Sequence, residues 1–333
     1  MIRTDEFSAR LREKVGRFDR RELLVTNFAG SGQEPDLTDP PNCGGLGRIR
    51  HFYRRTSEDW PENPLPIDPA CSFLGLPRVD AIRAQVFQNA ACNWRCWYCY
   101  VPFNLLSGNE ERGAWVTADD LVERYLATPD RPPLIDLTGG QPDLVPEWIP
   151  WMMEALRTAG VDESVYLWSD DNLSNDYFFR YLSGESRKIV LDYPGYGRVC
   201  CFKGFDEQSF AFNTNASPDL FDRQFELFSQ LLAAGLDLYA YATFTAPSAE
   251  ALPGAMTTFV DRLQGISENL PLRLVPLEIK EYGPVTPRLK AVNRRSMKVQ
   301  WMAAEAWSSE LERRFSSAER SIPITAVPMV GLR

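Results

Sequence analysis

Residues 84–100, AQVFQNAACNWRCWYCY, and residues 134–142, LIDLTGGQP, decide the fold class. In the first, the apolar run from Ala84 to Asn89 reads as a strand, and the loop behind it carries Cys92, Cys96 and Cys99. In the second, Leu134 to Leu137 reads as a buried strand, with Thr138, Gly139, Gly140, Gln141 and Pro142 as the turn that follows. Between them Val116 to Ala127 has helical spacing. Thr117 is its N-cap, and Asp119 and Asp120 lie in the first turn, where the helix dipole favours negative charge. Short apolar runs alternating with amphipathic helices predict an α/β fold with a parallel sheet.

The alternation continues outward. A third strand, Ser164 to Trp168, ends in Ser169, Asp170, Asp171 and Asn172, and a short helix spans Asn175 to Leu182. Val199 to Phe202 reads as a fourth strand with Lys203 just past its carboxyl end. The clearest helix starts at Ser217 and Pro218, repeats Leu220, Phe221, Phe225, Phe228, Leu231 and Leu232 on one face, and stops at Gly235. A fifth strand (Leu238 to Phe244), a helix (Leu252 to Ile266), a sixth strand (Leu272 to Ile279) and a tail helix from about Ser296 to Phe315 follow. Residues 1–83 open with a polar helical stretch and turn rich in Pro, Gly and Asn, which reads as an irregular extension.

With 333 residues, 44% of them hydrophobic, the chain can bury a sizeable core. A net charge of -9 argues against a protein whose task is to grip nucleic-acid phosphates. No stretch approaches the roughly 18 apolar residues of a membrane span, and the start, MIRTDEFSARLREK, lacks the apolar core of a signal peptide, so a cytoplasmic protein with no membrane partner is expected. Of seven cysteines, Cys43, Cys71, Cys200 and Cys201 read as small buried apolar side chains. A structural zinc site at the other three would call for a fourth Cys or His nearby, and the only histidine is His51.

Cys92, Cys96 and Cys99 stand in the order Cys-x3-Cys-x2-Cys. Three thiolates suffice for three irons of a cubane, and the fourth iron stays open to chelate a small molecule. With Tyr98 before the third cysteine, the loop resembles the defining motif of the radical S-adenosylmethionine (SAM) superfamily, and Gly139-Gly140-Gln141-Pro142 looks like that family's Gly-Gly-Glu-Pro motif, departing from it at Gln141. The resemblance covers about residues 84–280 and implies a partial, open (β/α)6 TIM-like barrel, with residues 1–83 as an N-terminal extension and 281–333 as a helical tail. It also implies one 4Fe-4S cluster on the three cysteines, SAM as cofactor and an external electron donor such as flavodoxin or ferredoxin. Tyr98 would lie against the adenine, and Gly139, Gly140 and Gln141 would meet the SAM amino group. Among Ser169, Asp170 and Asn172 would be the ribose ligand, and Lys203 would pair with the SAM carboxylate.

The expected activity is hydrogen abstraction by a 5'-deoxyadenosyl radical from a small molecule: a nucleoside, a sugar or a natural-product intermediate. The alternatives are modification of RNA, a peptide or a protein partner, and non-catalytic electron transfer. No residue stands out as acting on the substrate itself. The basic run RIRHFYRR, with Arg48, Arg50, His51, Arg54 and Arg55, reads as an exposed face, or as a binder of phosphate or carboxylate if it lies beside the active-site end. Trp94, Trp97 and Tyr100 read as packing, and Glu278 and Lys280 as charges that could face into the barrel.

Overall fold

The computed structural model describes residues 1–329, so the last four residues of the expected tail lie outside the described residues. Among the described residues ten strands form two sheets. In chain order they are β1 (Gly16–Arg17), β2 (Glu22–Thr26), β3 (Gly47–Tyr53), β4 (Ala81–Phe87), β5 (Gly113–Thr117), β6 (Leu134–Leu137), β7 (Tyr166–Asp171), β8 (Tyr196–Phe202), β9 (Leu238–Thr243) and β10 (Leu274–Leu277). A curled seven-stranded sheet has the order β10-β9-β8-β7-β6-β4-β3. Its six strands from β4 onward run parallel in sequence order, while β3 joins the edge antiparallel to β4.

Strand alternation sorts the sheet into two faces. Phe87, Ile135, Leu137, Leu167, Cys200, Phe202, Ala240 and Ala242 join the main core, which holds the outer helices Ala118–Leu126, Trp148–Thr158, Leu220–Ala233 and Leu252–Gln264. The opposite set, Leu134, Tyr166, Trp168, Val199, Cys201, Tyr239, Tyr241 and Val275, packs inside the curl against helix Ile67–Leu74, which plugs its amino end. Nearer the carboxyl ends the inner positions turn polar: Asp136, Thr138, Asp170, Lys203 and Thr243. The interior is therefore dry at one end and able to bind a polar ligand at the other.

The N-terminal stretch differs from the expected irregular extension. β3 completes the sheet, and β2 lies along the segment leading into the cysteine loop, through Thr26 N–H to Gln88 O at 2.9 Å and Ala90 N–H to Leu24 O at 3.1 Å. Residues 54–63 cross from β3 to the far edge of the curl. There Trp60 Nε1–H donates to Pro276 O at 3.1 Å, Ser57 Oγ–H donates to Glu278 at 2.8 Å, and Lys280 Nζ donates to Ser57 Oγ at 3.0 Å. Glu278 and Lys280 are thus tethers for this strap, and the lateral gap expected between the first and last strands is bridged. The third strand runs to Asp171 rather than Trp168, which places Ser169, Asp170 and Asp171 within the sheet. Thr117 caps its helix in a reciprocal capping box with Asp120. Among the described residues no helix is long and apolar enough to cross a membrane.

Trp60 is buried, stands edge-on to Trp301 with ring centroids 5.0 Å apart, and carries the strap's contact with β10. Trp60→Ala should cost about 3 kcal/mol, the usual range for deleting a buried aromatic side chain. Denaturant unfolding checks this, and a loss within the scatter of surface substitutions would contradict the bridging role.

Candidate functional site

A cavity of about 190 Å³ opens at the carboxyl ends of the parallel strands. Cys92, Cys96 and Cys99 line it together with Tyr98. Gly139, Gly140 and Gln141 enter from the end of β6, Asp170 and Asn172 from β7, and Lys203 from β8. Ser169 does not take part. Its position in the strand turns it to the opposite face, where its hydroxyl meets Tyr196 OH at 2.7 Å with no exposure.

The cysteine loop is held by neighbours that bond its backbone and the side chains between its cysteines. Trp94 is buried, and its Nε1–H donates to Thr4 Oγ1 at 3.1 Å, while Asn93 Nδ2 donates to Ser8 and Ser174. Arg95 donates to the carbonyls of Cys92 at 2.5 Å and Trp94 at 2.8 Å, and Arg288 donates to those of Cys99 at 2.6 Å and Val101 at 2.8 Å. Two guanidiniums thus stand against the loop, where they offset negative charge on the sulfurs.

All three thiols are free and half-buried. Burial pushes the Cys96 thiol up to about 12, against the pull of Lys203, so its sulfur ionises only with a strong cation at hand. Among the described residues no three His, Cys, Asp or Glu side chains converge on a single ion. A cubane is held differently, each thiolate taking its own iron. Three sulfurs without disulfides on the wall of one cavity, Cys92 Sγ taking only a long 4.0 Å contact from Asn172 Nδ2, fit such a cluster.

Gly139 and Gly140 have φ of 76° and 85°, in the left-handed region that glycine adopts without strain. The close approach they permit is to the chain itself. A Cβ on Gly140 would lie 2.3 Å from Asn89 O and 2.6 Å from Ala91 O, and one on Gly139 would lie 2.3 Å from Gln88 Oε1. Gln141 seals the contact, its N–H donating to Ala91 O at 2.8 Å and its carbonyl accepting from Asn89 Nδ2 at 2.9 Å. Both ends of its side-chain amide are engaged as well. Nε2 donates to Asp171 Oδ1 at 2.9 Å, and Oε1 accepts from Asn172 N–H at 3.0 Å. A glutamate here would set two carboxylates against each other, which gives the amide at 141 a physical reason. Arg198, fully buried, completes the network with Asp143 at 2.9 Å and Asp171 at 3.3 Å.

Asn172 donates from Nδ2 to Asn93 Oδ1 at 2.9 Å, and its Oδ1 is buried without a partner. An orphaned acceptor on a cavity wall awaits a donor such as a hydroxyl. Asp170 accepts from Thr138 and is raised by burial, with the Arg50 charge opposing. At Lys203 burial works against the charge, but Cys201, Tyr98 and Cys96 outweigh it and hold the ammonium above its usual range. Tyr98 OH meets Thr243 Oγ1 at 3.0 Å, fixing the ring on the inner wall.

Arg50 lines the cavity, as the second reading of the basic run allows, while Tyr100 and Cys201, expected only to pack, line it too, and Arg95 and Arg288, which nothing in the sequence marks, brace the loop. For Arg50 a signal existed in the alternation of RIRHFYRR, whose inward positions are Arg48, Arg50 and Phe52. Nothing local marks Arg288, which arrives from far along the chain.

No family model matches the chain, and comparison with curated proteins finds no relative. Among solved structures, Streptococcus suis SuiB bound to S-adenosylmethionine is 18% identical, with a TM-score of 0.46 over 68% of this chain and 47% of that one. SuiB alone is 17% identical with a TM-score of 0.45, covering 70% and 47%, and SuiB bound to precursor peptide SuiA is 16% identical with a TM-score of 0.37, covering 53% and 36%. The chain therefore spans less than half the length of each, and the likeness is of part of the fold.

Gln141→Glu tests the loop network. The new carboxyl, buried beside Asp171, has its folded-state pKa raised above the unfolded value of about 4.3, so the folded protein binds the extra proton. Its deficit against the wild type should be small in acid and should grow to about 3 kcal/mol as pH rises through neutrality. Thermal unfolding at a series of pH values reads it, and a deficit that does not change with pH would contradict the contact.

Proposed function

We propose that this chain is a radical SAM enzyme built on a partial (β/α)6 barrel. The observation that carries the reading is the meeting of three free cysteines, a double-glycine turn, an unpartnered Asn172 oxygen and a half-buried lysine around one cavity. Cys92, Cys96 and Cys99 would hold one 4Fe-4S cluster. Bound there, cluster and SAM together supply an electron and a sulfonium bond whose cleavage leaves methionine and a 5'-deoxyadenosyl radical.

Within that reading each wall of the cavity has a task. Lys203 supplies a cation for the carboxylate of SAM, Asn172 Oδ1 accepts from a ribose hydroxyl, and the buried ring of Tyr98 offers an apolar face to the adenine. Gly139 and Gly140 present backbone to the ammonium group, and Gln141 holds that backbone in place by its bonds to β7. Asp170 and Arg50, which line the same cavity, would face the substrate. The electron would come from an external donor such as flavodoxin or ferredoxin, and a cytoplasmic setting suits an oxygen-sensitive cluster.

For the substrate, a small molecule and a single side chain of a peptide are the two readings to separate. The closed lateral gap speaks against a bulky partner entering between the strands. Next to the first cavity lies a second chamber of about 360 Å³, whose rim carries the exposed Tyr53 and Tyr282, and it is this exposed aromatic rim, on which a peptide chain would pack, that favours the peptide reading. That volume suits one side chain as well as a small metabolite.

Purified without oxygen, the protein should carry iron and sulfide, and on reduction with dithionite it should turn SAM into 5'-deoxyadenosine. Replacing Cys92, Cys96 or Cys99 with Ala should remove both the colour and the product, while Cys43→Ala and Cys71→Ala should keep both. A colourless, zinc-loaded protein would overturn the proposal, and a brown one whose spectrum ignores SAM would favour electron transfer.

A further inference from the structure

The second chamber lies between β3, the strap of residues 54–63 and the end of β10, and Arg50, Tyr100 and Glu278 belong to the walls of both chambers. Its chemistry is set by the run RIRHFYRR. Nearly every basic side chain of that run has a carboxylate of its own: Arg50 with Asp136 at 3.3 Å, His51 with Asp39 at 2.7 Å, Arg54 with Asp68 at 3.2 Å and Arg55 with Glu62 at 3.1 Å. Arg48 is the exception. It is 5% exposed, donates one hydrogen bond, from Nη2 to Tyr100 OH at 3.2 Å, and its Nε–H has no partner.

A buried guanidinium without an anion is costly, because burial removes the water that would otherwise solvate its charge. The same chamber holds a second orphan, Gln33 Oε1, on a side chain 2% exposed. Phe52, Trp60 and Tyr100 supply the rest of the wall as aromatic surface. Asp36, the carboxylate of this chamber with no ion pair, is exposed at its rim, so the buried cation left over is Arg48, which calls for one negative charge. A doubly charged phosphate would bring its second charge beside Glu278 and Asp136.

We infer that this chamber is the substrate site and that Arg48 receives a carboxylate there. Gln33 Oε1 accepts from an N–H or O–H on the same molecule, and the aromatic walls bury its apolar part. The guanidinium edge of Arg48, Nε–H with a terminal N–H, matches the two oxygens of a carboxylate. The inference rests on the radical SAM reading only for what lies next door, since the carboxylate site stands on the chamber itself. The carboxylate can belong to a free acid or to an acidic side chain of a peptide.

Calorimetric titration of the cluster-loaded protein separates these sources. The free-acid probe is N-acetyl-phenylalanine against its amide, and the peptide probe is the capped tripeptide Phe-Glu-Phe against Phe-Gln-Phe. At least one of the two acids should bind the wild type at least ten-fold more tightly than its uncharged counterpart. Arg48→Gln should erase that preference without shifting the melting temperature by more than a few degrees, and Arg48→Lys should keep part of it. Equal binding of acid and amide in both pairs overturns the inference without recourse to any variant, as does a folded Arg48→Gln protein that still prefers the acid. Failure of SAM cleavage would sink the preceding reading and leave this titration to stand or fall by itself.

Discussion

Gly140 lies so close to the carbonyls of Asn89 and Ala91 that no Cβ fits between them, and the organisation of the rim depends on that contact. It joins the turn after β6 to the start of the cysteine loop, two segments far apart in sequence. Gln141 then ties the same turn to Asp171 and Asn172 at the end of β7, and Asn172 reaches on to Asn93 inside the cysteine loop. Three strand ends are linked in a ring through amide groups. Asn172 Nδ2 also makes a long 4.0 Å contact with Cys92 Sγ, its Oδ1 stays without a partner, and the three cysteines and Asn172 line the cavity. Such pre-organisation favours binding, since groups already satisfied by one another do not have to reorganise when a ligand enters.

A second constraint is the gradient along the inside of the curl. Aromatic and aliphatic side chains fill its amino end and polar ones its carboxyl end, so ligands are confined to the rim. The strap of residues 54–63 and the antiparallel β3 then convert an open half-barrel into one with a closed flank. This closure creates the second chamber and brings Arg48 and Arg50 to its wall. The N-terminal stretch is in that sense part of the site: β2 and the first helix brace the cysteine loop, and β3 supplies the cations.

Much of this was legible in the sequence. The strand Leu134–Leu137 has the bounds its apolar run predicts, Thr117 caps the helix expected of it, and the residues proposed for the site, Ser169 apart, line one cavity. Ser169 departs from its expected place because the strand does not stop at Trp168. Once β7 runs to Asp171, its two-residue period sends Ser169 outward and Asp170 inward. The Pro-rich N-terminal stretch concealed β3, whose inward residues are cationic. Arginine on an inner face looks like a solvated run until its partners are known, and those partners, Asp136 and Tyr100, lie elsewhere in the chain. Glycine at 139 and 140 suggested a ligand approaching the backbone, but the neighbour that excludes a side chain at 140 is the protein's own loop.

The most direct test of the account is electron paramagnetic resonance of the dithionite-reduced protein, recorded with and without SAM labelled with oxygen-17 in its carboxylate. An open iron among three cysteine-bound ones predicts a cluster signal that shifts when SAM is added and broadens with the labelled oxygen. A signal indifferent to both would contradict it.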